Sequence, residues 1–286
     1  MTYEEIIRSY AQPLSAIPTS LVRQGALDGP IHAVFFDIYG TLIISSAGDI
    51  GIAVRSSENR ADQIDDLLKR HNFTFTAEEL SNSFYNEIEG VKTKLRAQGT
   101  DCPEVIVEDI WIAVLGIKDP EVILPFAIEY ECIVNPVHPM PNLKETIAKL
   151  RALAMRLGVV SNGQFYTPYL FPAFLGADLQ GLGFEKDFLF FSYRHGYSKP
   201  SLELYKRVAA QTEARGLSPS EVLYVGNDML NDIWASAQVG FKTALFAGDK
   251  RSLRLREDDR RCRNLRPDLV VTDLLQIVES IEGQLC

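Results

Sequence analysis

The run Val34-Phe35-Phe36-Asp37-Ile38-Tyr39-Gly40-Thr41-Leu42 constrains this chain more than any other stretch. Ile31 to Phe36 is a short apolar segment with a β-branched and aromatic bias, and it ends in an acid. A strand covered on both faces reads as such a continuous run, whereas a half-exposed strand alternates. Asp37 therefore stands where a buried parallel strand delivers a carboxylate to the sheet edge. Gly40 permits a sharp turn out of the strand, and Thr41 places a hydroxyl close behind.

Further along, short apolar runs alternate with helical patterns. Gly158-Val159-Val160-Ser161-Asn162-Gly163 reads as strand to loop. Phe188 to Ser192, Val222 to Gly226 and Phe241 to Phe246 read as further strands, with helices expected from Leu202 and over Asp232 to Val239. Asn142 is expected to cap a helix with Leu143, Ile147, Leu150 and Ala154 on its apolar face. Alternation of this kind predicts an α/β fold, a Rossmann-like parallel sheet with helices on both faces.

Residues 52–134 break that alternation. Ile64, Leu67 and Leu68 share one face of a helix ending near Arg70, and Leu80, Phe84, Ile88, Val91 and Leu95 define an amphipathic helix over 77–98. Pro103 is expected at the start of a helix carrying Val105, Ile106, Ile110 and Trp111, and another helix covers 121–132. The organisation expected is an N-terminal extension, 1–29, a core made of 30–45 and 135–286, and an inserted helical domain, 46–134. Residues 1–29 suit packing against the core or a homodimer contact. Ile43 to Gly51 suits a mobile flap, and the Arg-rich run 248–266 a solvated loop.

With 46% hydrophobic residues in 286, the chain can bury a large core. A formal charge of −9 argues against nucleic-acid and anionic-membrane partners, though local cations still allow a small anionic substrate. Cys102, Cys132, Cys262 and Cys286 lack paired metal spacing and read as reduced thiols. The acidic start lacks a secretory core and no apolar run has membrane-spanning length, so a cytoplasmic location is expected.

Asp37-Ile38-Tyr39-Gly40-Thr41-Leu42, then Ser161-Asn162, then Lys199, then Asn227-Asp228 with Asp232 stand at or just beyond strand ends. In that order they resemble the four motif loops of the haloacid dehalogenase superfamily of hydrolases. The resemblance implies that Asp37 is a nucleophile forming a covalent aspartyl intermediate, and that the insert is a cap over the site. It implies charge balance by Lys199, hydrogen bonds from Ser161, and orientation by Thr41 and Asn162. Crowded carboxylates would weaken the nucleophile unless a hard cation takes them as ligands. Mg²⁺ is the expected cofactor, with Asp37 and Asp232 as ligands, Asn227 or Asp228 completing the set, and the Tyr39 carbonyl as a further donor. Helix capping is the competing role for Asp228 and Asn231.

Two features divide the resemblance. Phosphatases of the superfamily carry a second Asp two positions after the nucleophile, as acid and base, where this chain has Tyr39. Haloacid dehalogenases carry Asp-x-Tyr-Gly-Thr-Leu, use no metal and need no acid for a halide, and they use an Arg near the start of the cap, for which Arg55 and Arg60 are candidates. The fourth loop, Gly226-Asn227-Asp228-Met229-Leu230-Asn231-Asp232, is closer to the phosphatase pattern. The expected function is Mg²⁺-dependent hydrolysis of a small phosphate monoester. The alternatives are a metal-independent 2-haloacid dehalogenase and a non-catalytic protein binding a phosphorylated metabolite. Phe84, Tyr85 and Trp111 are candidates for the cap side of the pocket, and His195 is the one histidine near a site loop.

Overall fold

The computed structural model describes residues 1–47 and 60–284. In chain order, helix α1 (Tyr3–Tyr10) and strands β1 (Gln24–Gly25), β2 (Ala33–Phe36) and β3 (Ile43–Ser45) come first. The helical insert follows: α2 (Ala61–Arg70), α3 (Ala77–Ala97), α4 (Val107–Leu115) and α5 (Pro120–Val134). Then come β4 (Val137–Pro139), α6 (Leu143–Ala152), β5 (Arg156–Ser161), α7 (Leu170–Leu175), β6 (Phe184–Phe191), α8 (Ser192–His195) and α9 (Leu202–Ala214). The chain continues through β7 (Val222–Gly226), a π-helical turn (Met229–Trp234), α10 (Ala235–Gln238), β8 (Lys242–Phe246), β9 (Leu269–Val271) and α11 (Leu275–Glu282). Among the described residues no helix is long and apolar enough to cross a membrane.

The main sheet runs β1-β9-β8-β7-β2-β5-β6 and is parallel except for the edge strand β1. The continuous apolar run of β2 follows from its central position. Val34 and Phe36 join one buried cluster, Ala33 and Phe35 the other, on opposite faces of the sheet. From β2 the chain moves outward to β5 and β6, then returns to β7 on the other side of β2. A reversal of this kind opens a crevice at the carboxyl ends of the two central strands. Asp37 follows one of them and Asn227 the other.

Strand β3 pairs antiparallel with β4, so the chain leaves for the insert and returns from it side by side. Asn135 ties the two limbs: its Oδ1 accepts from Ser45 Oγ at 2.8 Å and from the Ala47 N–H at 3.1 Å. The insert has an aromatic core. Trp111 stacks on Phe84 at 4.2 Å and meets Phe126 and Tyr130 edge-on. A capping box of Thr76 and Glu79 starts α3, and Gly116 at φ +69° ends α4.

Several local expectations change. Pro103 does not start a helix: it bridges to Tyr197, and α4 begins four residues later at Val107. Asn142 precedes α6 as expected, but at φ +62° its side chain caps nothing and donates to Asp273 at 2.7 Å instead. Strand β6 starts at Phe184, and the helical segment after β7 starts at Met229 as a π-turn. Of the expected flap, Ile43 to Ser45 is buried sheet, while 48–51 lie outside the described residues. The run 248–266 is anchored, with Asp249, Ser252 and Cys262 buried. Helix α1 packs on the core and the insert, burying Ile6 and Ile7.

Candidate active site

Asp37 is pinned at the end of β2 by its N–H, which donates to the Val225 carbonyl of β7 at 2.9 Å. The N–H groups of Thr41, Leu42 and Ile43 all turn back to the Ile38 carbonyl. Gly40 sits at φ +85°, where a Cβ would lie 2.5 Å from Ser252 Cβ and 2.7 Å from Asn227 Nδ2. Both the backbone and the space demand glycine there.

Lys199 is set by main-chain pairing with Asn162. Its N–H donates to Asn162 Oδ1 at 2.7 Å, and Asn162 Nδ2 donates to its carbonyl at 3.4 Å. So held, the Lys199 Nζ donates to Asp37 Oδ1 at 2.7 Å and to Asp232 Oδ1 at 2.6 Å. Asp232 Oδ2 accepts the Asp228 N–H at 2.9 Å. The Tyr224 hydroxyl lies 3.2 Å from Asp232 Oδ1 and 3.0 Å from the Val160 carbonyl. Asp232 fits because residue 226 is glycine: a Cβ there would lie 2.3 Å from the Asp232 Cγ.

One ammonium between two buried carboxylates leaves one negative charge over. Burial opposes the Lys199 charge, but Asp232 and Asp37 outweigh it and hold the ammonium above the usual lysine range. The Asp232 carboxyl is pushed up by burial, opposed by Lys199 and reinforced by Asp37 and Asp228. Ser161 is fully buried, and its Oγ has no hydrogen-bond partner among the described residues. A buried hydroxyl without a partner is costly, so this donor is available to a bound group. Thr41 Oγ1 donates to Asn227 Oδ1 at 3.1 Å, and Asn227 Nδ2 donates to the Ser252 carbonyl at 2.6 Å.

Two expected side chains turn elsewhere. Asp228 accepts the Leu230 and Asn231 N–H groups and takes Arg256 in a forked pair, Nη2 to Oδ2 at 2.6 Å and Nε to Oδ2 at 3.1 Å. The Tyr39 hydroxyl pairs with Thr167 Oγ1 at 3.0 Å. Burial, then the charge of Glu131, push that phenol far above the usual tyrosine range.

Asp37, Tyr39, Ser161, Asn162, Lys199, Asn227, Asp228 and Asp232 line one cavity of about 440 Å³. The insert roofs it with Phe84, Tyr85, Ile88, Tyr130 and Val134. Trp111 does not reach the cavity and serves the core of the insert. Arg60 donates to the Ile133 carbonyl at 2.6 Å, Arg55 lies outside the described residues, and His195 stacks on Phe190. Tyr224, Arg254 and Arg256 were not expected here. Tyr224 is hidden in an apolar run, and the two arginines in a charged one.

Among the described residues no three His, Cys, Asp or Glu side chains converge as a metal cage. The donors around the Asp37 loop are a carboxylate, the Tyr39 main-chain carbonyl and the Asn227 amide oxygen. An all-oxygen set of this kind suits a hard cation.

A family model for haloacid dehalogenase-like hydrolases matches residues 31–240. The chain belongs to that family. This haloacid dehalogenase-like hydrolase is 27% identical over 180 residues to a glyceraldehyde 3-phosphate phosphatase from Methanocaldococcus jannaschii, covering 62% of this chain and 71% of the relative. Its fold matches a haloacid dehalogenase-like phosphatase from Thermococcus onnurineus, with a TM-score of 0.53 at 19% identity over 88% of this chain and 99% of that one. It also matches a 2-haloacid dehalogenase from Pseudomonas syringae, with a TM-score of 0.55 at 18% identity over 89% and 99%. Both likenesses concern the fold, and the fold serves both chemistries.

Proposed function

We propose that this hydrolase cleaves a small phosphate monoester through an aspartyl-phosphate on Asp37, with Mg²⁺ as its cation and residues 46–134 as the cap. The observation that carries this reading is the Lys199 ammonium fixed between Asp37 and Asp232 on a cavity that Ser161 lines with an unpartnered hydroxyl. A phosphoryl group brings several anionic oxygens, and such a group fits a fixed cation beside a free donor. The relative from Methanocaldococcus jannaschii, a phosphatase of a small phosphate ester, supports the same chemistry.

A carboxylate oxygen of Asp37 forms a bond to phosphorus as the ester P–O bond breaks, and the departing alkoxide takes a proton from water. Water then attacks phosphorus, the Asp37 O–P bond breaks to restore the carboxylate, inorganic phosphate leaves, and the hydroxide left by the first step takes the proton released. Lys199 and Ser161 hold the non-bridging oxygens. The Tyr39 hydroxyl is turned to Thr167 Oγ1 and, with its pKa pushed up by burial and then by Glu131, takes no acid role in this reading. Asp37, the Tyr39 carbonyl and Asn227 are the residues that would hold Mg²⁺, which when bound supplies charge neutralisation at the phosphoryl group. Asp232, expected as a metal ligand, has both oxygens taken, Oδ1 by Lys199 Nζ and Oδ2 by the Asp228 N–H, and in this reading acts from behind by setting Lys199.

Dehalogenation of a 2-haloacid is the second reading, favoured by Tyr39 in the acid position, since halide departs without a proton. Phosphate release from p-nitrophenyl phosphate, with and without Mg²⁺, tests the first reading. Metal-independent chloride release from 2-chloropropionate, with no phosphate release in either condition, would replace it with the second.

A further inference from the structure

Among the described residues four cations line the cavity: Lys92, Lys199, Arg254 and Arg256. Lys199 is committed to Asp37 and Asp232, and Arg256 to Asp228. Lys92, on α3, has Glu104 in its field. Arg254 differs from Lys199 and Arg256 and, like Lys92, forms no salt bridge among the described residues. No carboxylate lies within salt-bridge distance of it among the described residues.

Its position is nevertheless fixed. The Arg254 N–H donates to the Asn227 carbonyl at 3.0 Å, and its carbonyl accepts the Met229 N–H at 2.9 Å. The loop after β8 is thereby stitched to the loop after β7, one residue from Asp228. The guanidinium is steadied by Nη1, which donates to the Arg251 carbonyl at 2.7 Å and the Leu253 carbonyl at 3.1 Å. Carbonyls orient a guanidinium without neutralising it, and among the described residues Nε and Nη2 donate to no partner. A fork held this way is preorganised for two parallel hydrogen bonds to a planar or tetrahedral anion.

We infer that Arg254 forms a second anion subsite, so that the substrate is a phosphate monoester bearing a further carboxylate or phosphate. This rests on the phosphatase reading for the reacting end, while the subsite itself is a matter of binding. The phosphoryl group sits at Asp37 and Lys199, and the second anion meets the Arg254 fork across the same cavity. Monoesters whose alcohol portion carries no charge lack that contact.

Two matched pairs of compounds test it: phosphoglycolate against ethyl phosphate, and propane-1,3-diol bisphosphate against propyl phosphate. With the intact enzyme and Mg²⁺, kcat/KM favours the doubly anionic member of at least one pair by about tenfold or more, the size expected for a charge-assisted fork. The pair that shows it distinguishes carboxylate from phosphate. Arg254→Gln, which keeps the main-chain stitching, lowers kcat/KM for the doubly anionic member far more than for ethyl or propyl phosphate and so brings the pair to near parity. Arg254→Lys restores part of the preference. Equal turnover within both pairs by the unaltered enzyme, or an equal loss for every compound in Arg254→Gln, overturns the subsite. Calorimetric titration of the Asp37→Asn protein with the same pairs separates the two ideas. A binding preference that Arg254→Gln removes, with no phosphate released by the unaltered enzyme, sustains the subsite and sinks the phosphatase reading.

Discussion

Lys199 makes its two contacts from a side chain with almost no exposure, and removing it would strand two carboxylates in the same buried space. Breaking a buried pair from one side costs about 3–5 kcal/mol. Lys199→Met is therefore expected to be inactive and markedly less stable in urea unfolding, and adding Asp232→Asn should recover much of the stability but none of the activity. Asp37→Asn should behave differently. It keeps the shape and a hydrogen-bonding oxygen beside Lys199, so turnover falls on the order of 10³-fold or more with little change in melting temperature. Tyr39 makes the opposite case. Because burial holds its proton in place, Tyr39→Phe should leave the pH–rate profile unmoved and kcat within about twofold. A lost limb in that profile would show the phenol to be the missing acid.

Among the elements, the join between β7 and the π-turn carries the site's precision. Gly226 ends the strand with no side chain, and Asp232 fills the space above it. Gly226→Ala forces the Asp232 carboxylate to shift, at an overpacking cost of about 1–3 kcal/mol. Activity should fall far more than stability, since the displaced carboxylate no longer sets Lys199. Comparing urea midpoints with kcat/KM for this variant checks the disproportion. This element also shows where sequence pattern runs out. A strand ending in Gly-Asn-Asp was legible from composition and spacing, and so was a helix after it. That Asp232 turns inward while Asp228 turns to Arg256 was not, because both are acids in one loop and only packing separates them.

Across the whole molecule, α1 fastens insert to core. The Tyr10 hydroxyl donates to Glu129 Oε2 at 2.6 Å, Arg70 pairs with the same oxygen at 2.7 Å, and His71 meets Oε1 at 2.8 Å. Burial would raise the Glu129 carboxyl, but His71, Tyr10 and Arg70 outweigh it and hold it below the usual glutamate range. A carboxylate lowered on folding stabilises the fold above its unfolded pKa, and the gain fades as pH falls through the folded one. Glu129→Gln should accordingly lower the melting temperature at pH 7, by a deficit that shrinks as pH falls below about 4. Deleting residues 1–10 removes this anchor and exposes what Ile6 and Ile7 cover, a loss of roughly 3–6 kcal/mol for two isoleucines, read as a lower urea midpoint.

The sequence by itself determined the sheet, the place of Asp37 on it and the order of the four loops. The strands and the place of Asp37 rest on periodicity and on turn residues, which act over a few neighbours: an unbroken apolar run needs cover on both faces, and an acid ending it must stand at an edge. The reading of the four loops as one site rests on the family resemblance. The tertiary structure alone decided the partners. Asn162 serves the Lys199 main chain, Tyr224 reaches Asp232 from within an apolar strand, and the charged run after β8 lays Arg254 and Arg256 along the cavity instead of in solvent. Such contacts join residues far apart in the chain, and a side chain's hydrogen bonds depend on the direction it points, which neighbouring residue types do not fix.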